Sequence, residues 1–254
     1  LKNYQYIIAD KTPTDKEQMA PKISVVIPTF NEEENITPCL ESLCNQTIKR
    51  EDYELIVVDG NSKDKTREYA EKLADVVIIQ TSKKVGGARN DGAALAKSDI
   101  IATTDADCII PPDWLEKTLL AFSKDEKMVQ LYGTVYPLEP GLKFRFYLAL
   151  ANAFSRLGYY THTLYYTLGC NTAFRKEAYI AIKGYKCIDA GDDLEIAQRM
   201  RKLGKVKLDT KVRVSFSMRR YVQFGTLRSL YVWLYIVFKG GESEKYTYAS
   251  REYK

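Results

Sequence analysis

Between residues 22 and 104 four short apolar runs alternate with stretches of helical periodicity, and this alternation constrains the fold more than any other feature of the chain. The runs cover residues 23–27, 55–58, 76–79 and 100–103. Each is apolar throughout instead of alternating, the pattern of a strand buried on both faces. Helix-length spacers between such strands imply βαβ units and a parallel sheet. After the first run Ile36, Leu40 and Leu43 recur at i, i+4 and i+7, one face of a helix. Asn31 followed by Glu34 has the spacing of a helix N-cap and capping box. A second helix after Asp64 is expected to bury Tyr69, Ala70 and Leu73, and a small-residue helix to cover 87–96. The expected class is α/β, of the doubly wound kind.

Beyond Thr104 the rhythm changes. Pro111-Pro112-Asp113 opens a helix carrying Trp114, Leu115 and Leu119, prolines being acceptable in a first turn. A longer strand is expected over 128–136 and a helix over 192–203 with Ile196, Met200 and Leu203 on one face. Short strands are expected at 206–208 and 212–216. Residues 141–168 are crowded with aromatics, among them Phe144, Phe146, Tyr147, Phe154, Tyr159 and Tyr160. Residues 221–238 are again apolar and aromatic, interrupted by Arg228.

A chain of 254 residues can bury one substantial domain with a small appendage. Its 45% hydrophobic and 28% charged content is that of a globular protein, which argues against general disorder. The net charge of +5 suits an anionic ligand or membrane surface without demanding nucleic acid. Five cysteines without a Cys-x-x-Cys pair suggest buried, reduced thiols, and the single histidine, His162, argues against a His-ligated metal centre. The first twenty residues do not look like a signal peptide, so a cytoplasmic location is the default expectation.

Ligands of an open parallel sheet bind outside the carboxyl ends of its strands, near the switch in strand order. Acids gather there: Glu32, Glu33 and Glu34 after the first run, Asp59 at the end of the second, Asp105 and Asp107 after the fourth. Acids at helix starts also complement the macrodipole, and that reading is preferred for Glu33 and Glu34. Asp59 and Asp107 are read as functional. In Asp105-Ala106-Asp107 the two carboxylates would face one site if the backbone stays extended. Hard oxygens suit Mg²⁺ or Mn²⁺, which share their remaining positions with water and phosphates. Such a cation neutralises a nucleoside diphosphate leaving group.

Other phosphate-binding devices are missing. Pro28-Thr29-Phe30-Asn31 stands where a dinucleotide or P-loop fold would carry its glycine-rich turn. Lys83, Lys84 and Arg89 around Gly86-Gly87 are candidates for contacting phosphates; a solvated basic loop is the alternative. Gly191-Asp192-Asp193-Leu194-Glu195 opens the later helix. It supplies either dipole-stabilising acids or the base that takes a proton from an incoming hydroxyl, and spacing alone leaves both open.

Six motifs in order carry a family resemblance: Val25-Val26-Ile27-Pro28-Thr29-Phe30-Asn31-Glu32; Ile56-Val57-Val58-Asp59-Gly60-Asn61-Ser62-Lys63-Asp64-Lys65-Thr66; Gly86-Gly87-Ala88-Arg89-Asn90-Asp91-Gly92; Thr104-Asp105-Ala106-Asp107; Gly169-Cys170-Asn171-Thr172-Ala173-Phe174-Arg175; and Gly191-Asp192-Asp193-Leu194-Glu195. Over residues 22–220 the chain resembles family 2 of the inverting glycosyltransferases. That resemblance implies a GT-A fold, a Rossmann-like and mostly parallel sheet flanked by helices, here with an aromatic-rich C-terminal helical extension. It also implies a tail over 1–20, a catalytic domain over 21–218 (nucleotide half about 21–107, acceptor half about 108–218), and an amphipathic extension over 219–254.

By the same resemblance Pro28, Phe30, Glu32 and Asp59 line the nucleotide pocket, Arg89 lies near base or phosphates, and Asp105 contacts the nucleoside. Asp107 would ligate Mn²⁺ or Mg²⁺, and Asp193 would be the general base, with Asp192 replacing the family's usual glutamate. A downstream histidine that helps hold the metal in some members has no counterpart in 211–220. Met218-Arg219-Arg220-Tyr221 is at best a remnant of the motif of processive synthases, so transfer of a single sugar is favoured.

The implied partners are a UDP- or GDP-sugar donor and an acceptor hydroxyl or phosphate, with polyprenyl-phosphate or a glycolipid as lipid-linked options. Nucleic acid is not among them. Residues 219–240, with basic flanks and interior aromatics, fit peripheral contact with a membrane or packing against protein. Residues 141–168 allow the same two readings, or an acceptor groove. Competing functions are a sugar nucleotidyltransferase, which lacks its glycine-rich loop here, and a non-catalytic sugar-nucleotide-binding protein, which needs no base.

Overall fold

The computed structural model describes residues 20–162, 167–188 and 191–219, with isolated positions 222, 231 and 235. The expected tail (bar Ala20) and most of the expected extension lie outside these residues. Eight strands form one sheet in the order β3-β2-β1-β4-β7-β6-β8-β5. They are β1 (Ile23–Thr29), β2 (Tyr53–Asp59), β3 (Val76–Ile79), β4 (Ile100–Thr103), β5 (Cys108–Ile109), β6 (Met128–Pro137), β7 (Thr172–Arg175) and β8 (Lys205–Phe216). The first four pair in parallel, and β7 then runs antiparallel to both β4 and β6. β8 is parallel to β6, and β5 closes the edge antiparallel to β8.

The apolar runs are explained by two cores, one on each sheet face. Ile23, Val25 and Ile27 of β1 and Leu55 and Val57 of β2 enter one cluster, while Val26, Ile56 and Val58 enter the other. A strand whose alternate residues feed different cores has little room for polar residues, and the two at the start of these strands satisfy each other, Ser24 Oγ donating to Glu54 Oε1 at 2.6 Å. Helix α1 (Ile36–Cys44) seals the first core with Ile36, Leu40 and Leu43, and α3 (Lys84–Leu95) seals the second with Ala88 and Ala93. Between them come α2 (Thr66–Ala70) and, later, α4 (Trp114–Ser123), α5 (Leu142–Thr161), α6 (Lys176–Ala181) and α7 (Asp192–Met200).

Several local expectations need correction. Helix α1 starts at Ile36 behind Asn35, without a side-chain cap. Asn31 is instead a left-handed loop residue (φ 52°) whose Oδ1 accepts from Lys63 N–H at 2.9 Å across the neighbouring loop. Helix α7 stops at Met200, leaving Leu203 exposed. The two short strands after it are one, β8, with an irregular register that pairs Tyr132 with Leu208 but Thr134 with Arg213. The polar stretch Asp209-Thr210-Lys211 is taken up there, and Gly133 makes room for it: a Cβ would lie 2.0 Å from the Val212 carbonyl oxygen. The cysteines are free, but Cys187 is exposed and Cys44 only partly buried.

The strand order reverses at β1, with β2 on one side and β4 on the other. The crevice that such a switch creates lies beyond Thr29 and Thr103. Because β7 is antiparallel, with Thr172 opposite Thr103, the turn Gly169–Asn171 arrives at the same end.

Candidate active site

The loops after β1 and β2 are laced together by short polar side chains. Asn31 and Asn61 both adopt positive φ, 52° and 68°, which asparagine tolerates better than bulkier residues. Ser62 Oγ accepts from Asn31 N–H at 2.8 Å, and Thr66 Oγ1 accepts from Glu32 N–H at 2.7 Å. Asp59 is fully buried, and its carboxylate accepts from Ser62 N–H at 3.1 Å and from Ser62 Oγ at 2.5 Å. Its visible task is therefore to close the turn after β2. Phe30 is 52% exposed, close to Gly60, where a Cβ would lie 3.2 Å from the ring. Pro28 sits inside β1, opposite Val58.

Nearly every residue of Gly86–Gly92 has a packing or bonding reason. Gly92 presses on Val26 and Val58, where a Cβ would come within 2.4 Å of Val26. Asn90 mimics a strand partner for Tyr185, accepting its N–H and donating to its carbonyl, both at 2.8 Å. Asp91 accepts from Thr81 N–H, Ser82 N–H and the hydroxyls of both residues, and these donors hold its carboxyl below the usual range. Arg89 is buried and reaches into the crevice. It donates to Asp105 Oδ1 and to Asp192 Oδ2, both at 2.9 Å, with Asp193 Oδ1 at 3.5 Å. Its guanidinium also lies 5.2 Å from the centre of the Tyr185 ring. Three carboxylates around one buried guanidinium raise the Arg89 pKa well above its ordinary value despite burial. Lys83 is exposed on the loop before α3.

The pair Asp105 and Asp107 does not behave as an extended dipeptide would. The backbone turns, with Cys108 N–H donating to the Asp105 carbonyl at 3.2 Å. The two carboxylates take different partners: Asp105 pairs with Arg89, while Asp107 is buried with Arg219 Nη2 at 3.6 Å. The same Arg219 nitrogen donates to both carboxylate oxygens of Glu32, and Glu32 Oε2 also accepts from Asn35 Nδ2. Arg219, the first residue of the basic flank before 221–238, thus turns its side chain into the crevice. Among the described residues no three His, Cys, Asp or Glu side chains converge as a metal cage. Asp107 nonetheless offers hard carboxylate oxygens, and Mg²⁺ and Mn²⁺ ordinarily fill their coordination from water and phosphates. The residues present therefore fit a cation shared with a diphosphate.

Asp192 and Asp193 open α7 behind the left-handed Gly191. Burial, then the neighbouring Asp192 carboxylate, push Asp193 up to about 7 against the pull of Arg89. Burial also raises Asp192. Thr167 Oγ1 donates to the Asp193 carbonyl at 2.6 Å. Gly169 is needed for the close approach: a Cβ would lie 2.3 Å from Arg89 Nη2 and 2.5 Å from Asp193 Oδ1. Behind it the buried Asn171 accepts from Trp114 Nε1 at 2.9 Å and donates to the carbonyls of Thr134 and Val212. Asn171 fixes this turn against α4, β6 and β8. Its bonds join parts of the chain far apart in sequence, which no local pattern reveals.

Residues 24–183 match the family described as glycosyl transferase family 2. Over 93 residues the chain is 43% identical to poly(ribitol-phosphate) beta-glucosyltransferase of Bacillus spizizenii, covering 34% of this chain and 15% of that one. It is 29% identical over 176 residues to glucosyl-dolichyl phosphate glucuronosyltransferase of Haloferax volcanii, covering 65% and 56% respectively. The chain thus spans well under two thirds of these relatives. In fold it resembles a mannosyltransferase from Pyrobaculum calidifontis solved with GDP-Man and Mn²⁺ (TM-score 0.64, 24% identity, 82% of this chain and 61% of that one). The architecture is that of the GT-A glycosyltransferases.

Proposed function

The chain belongs to glycosyl transferase family 2, and from that premise we propose that it transfers a single sugar, with inversion, from a UDP- or GDP-sugar to an acceptor hydroxyl, using Asp193 as general base. The observation that carries this reading is the junction at Arg89, which ties Asp105 on the donor side to Asp192 and Asp193 on the acceptor side. In this reading Phe30 packs on the nucleotide base, and Pro28, Glu32 and Asp59 shape its pocket. Asp107 would hold Mn²⁺ or Mg²⁺, which when bound offsets the charge of the departing diphosphate.

The acceptor oxygen forms a bond to the anomeric carbon as the bond from that carbon to the diphosphate breaks. The nucleoside diphosphate leaves with the electron pair, and the hydroxyl proton passes to the Asp193 carboxylate. One displacement from the face opposite the leaving group inverts the centre. A carboxylate raised to about 7 is a stronger base than a free one yet still ionises near neutrality. An acceptor phosphate would need no such base, so loss of activity on removing Asp193 favours a hydroxyl. A lipid-linked acceptor is supported by the dolichyl phosphate named for the Haloferax relative. Peripheral membrane contact through 219–240 belongs to the same proposal.

The test is release of UDP or GDP from a panel of sugar nucleotides with Mn²⁺ or Mg²⁺, comparing wild type with Asp107→Ala and Asp193→Asn. Metal-dependent turnover lost in both variants is expected. Failure of the chain to bind any sugar nucleotide would refute the reading.

A further inference from the structure

Helix α5 presents a second apolar side to solvent, besides the one that packs on the protein. Leu142, Phe146, Leu157 and Tyr160 are 85%, 74%, 62% and 75% exposed, and Leu150 is also exposed. The face turned to the protein carries apolar residues of its own: Leu148 is buried with Asn152, Ser155 and Gly158, and Phe144, Tyr147 and Tyr159 pack partly buried against the cores. The helix is firmly seated. Asn152 accepts from Val135 N–H at 3.1 Å and donates to the Val135 carbonyl at 2.8 Å, and Tyr159 packs edge-on against Tyr132.

At about 100° per residue, Leu142, Phe146, Leu150, Ala153, Leu157 and Tyr160 fall in one sector roughly 80° wide. Lys143 borders that sector on one side, and Arg145 and Arg156 on the other. Helix α5 contains no acidic residue. An apolar stripe between two basic edges is the pattern of a helix lying in a membrane interface, its apolar face among the acyl chains and its cations at the phosphates. No helix among the described residues is long and apolar enough to cross a membrane.

We propose that α5 is a surface, separate from 219–240, by which this protein docks on anionic phospholipid, lying in the plane of the bilayer. A second copy would also cover the stripe. Pairing two α5 helices, however, would gather their lysines and arginines with no acid on either to offset them, whereas anionic headgroups complement them. The docked face is also joined to the site. Soon after α5 ends the chain reaches Thr167, which bonds the Asp193 carbonyl. This inference stands on the surface alone and does not rest on the transferase reading.

The full chain is sedimented with phosphatidylcholine vesicles with and without phosphatidylglycerol, at low and high salt. We expect binding to phosphatidylglycerol vesicles at least about tenfold tighter than to phosphatidylcholine alone, weakened by salt. The double variant Phe146→Ser/Leu157→Ser should lose about tenfold or more in vesicle binding, with an unchanged melting temperature. The triple variant Lys143→Gln/Arg145→Gln/Arg156→Gln should lose the preference for phosphatidylglycerol. A wild-type chain that ignores both vesicles overturns the proposal, as does a double variant that binds like wild type. So does a dimer, seen by light scattering, that the double variant converts to monomer. None of these readouts requires turnover.

Discussion

Helices α3 and α5 both break the rule that polar residues face water and apolar ones face the core, in opposite senses. Helix α3 buries an arginine and an aspartate among glycines and alanines, while α5 exposes leucines, a phenylalanine and a tyrosine. What separates them is where the inversion is resolved. Arg89 meets three carboxylates and Asp91 four donors, all within the molecule. The exposed stripe of α5 has its most open side chains at 62% to 85% accessibility. A polar group satisfied inside points to chemistry or to specific packing; an apolar face left outside points to a surface the protein meets.

The sharpest way to break the α3 side of this comparison is Asp193→Asn. If the charges around Arg89 serve proton transfer, kcat should fall by about a thousandfold, in the range of lost general bases, with donor binding retained. The variant should also be more stable at high pH. Asp193 is raised to about 7, so the folded state binds a proton more tightly than the unfolded chain, whose aspartate titrates near 4. Wild-type stability therefore declines as pH rises from about 4 to about 7. Asp193→Asn should flatten that slope in melting curves, and an unchanged slope would contradict the burial account. Wild-type kcat/KM should rise over the same upper limb as the base ionises.

Arg89→Met is the next largest change. It leaves Asp105, Asp192 and Asp193 without their common cation, and breaking a buried ion pair costs about 3–5 kcal/mol. At about 2–4 °C per kcal/mol for a domain of this size, the melting temperature should drop by about 10 °C. The loss should be smaller at pH 5 than at pH 8, because the orphaned acids can protonate. A pH-independent loss would mean that packing, and not charge, explains α3.

Much of the α3 side was legible in the sequence, and the reasons are physical. Strands buried on both faces must be largely apolar, so the parallel half showed itself, including the acids beyond its strand ends. Helix boundaries were less legible where a side chain had two suitors: Asn31 has capping chemistry but spends it on Lys63 of another loop. The expected convergence of Asp105 and Asp107 assumed an extended backbone that a single turn removes. Strand β8 looked like two strands because an irregular register hides a polar stretch in its middle. Arg219 and Asn171 were legible only as members of short motifs, with no role attached to either side chain. Their roles depend on partners distant in sequence, and no spacing rule reaches that far.

Gly169→Ala probes the distance on which the α3 junction depends. Its methyl would enter the space held by Arg89 Nη2 and Asp193 Oδ1, at 2.3 and 2.5 Å. Overpacking of this kind costs about 1–3 kcal/mol when the neighbours must shift. Because those neighbours carry the proposed chemistry, kcat should fall more than stability does, by tenfold or more. Full activity would show that Arg89 and Asp193 need not stand so close.

Arg219→Ala has the smallest expected effect on stability and sharpens the comparison by supplying an intermediate case. Arg219 is paired, like Arg89, but its side chain is 34% exposed where that of Arg89 is 4%. The arginine is one-third exposed but Glu32 and Asp107 are buried, so its loss falls between that of a surface pair, about 1 kcal/mol, and that of a buried one, and Glu32 keeps its bond from Asn35 Nδ2. Melting should therefore move by no more than a few degrees. Function should move further, because the guanidinium lies 3.6 Å from Asp107, beside the place proposed for the diphosphate. Calorimetric titration with UDP and GDP should show affinity for the preferred nucleotide reduced about tenfold, the value of one charge-assisted contact. Arg219→Lys should recover part of that loss, since it restores the charge without the planar fork. If both variants bind nucleotide like wild type, Arg219 only braces Glu32, and the crevice then holds one functional arginine instead of two.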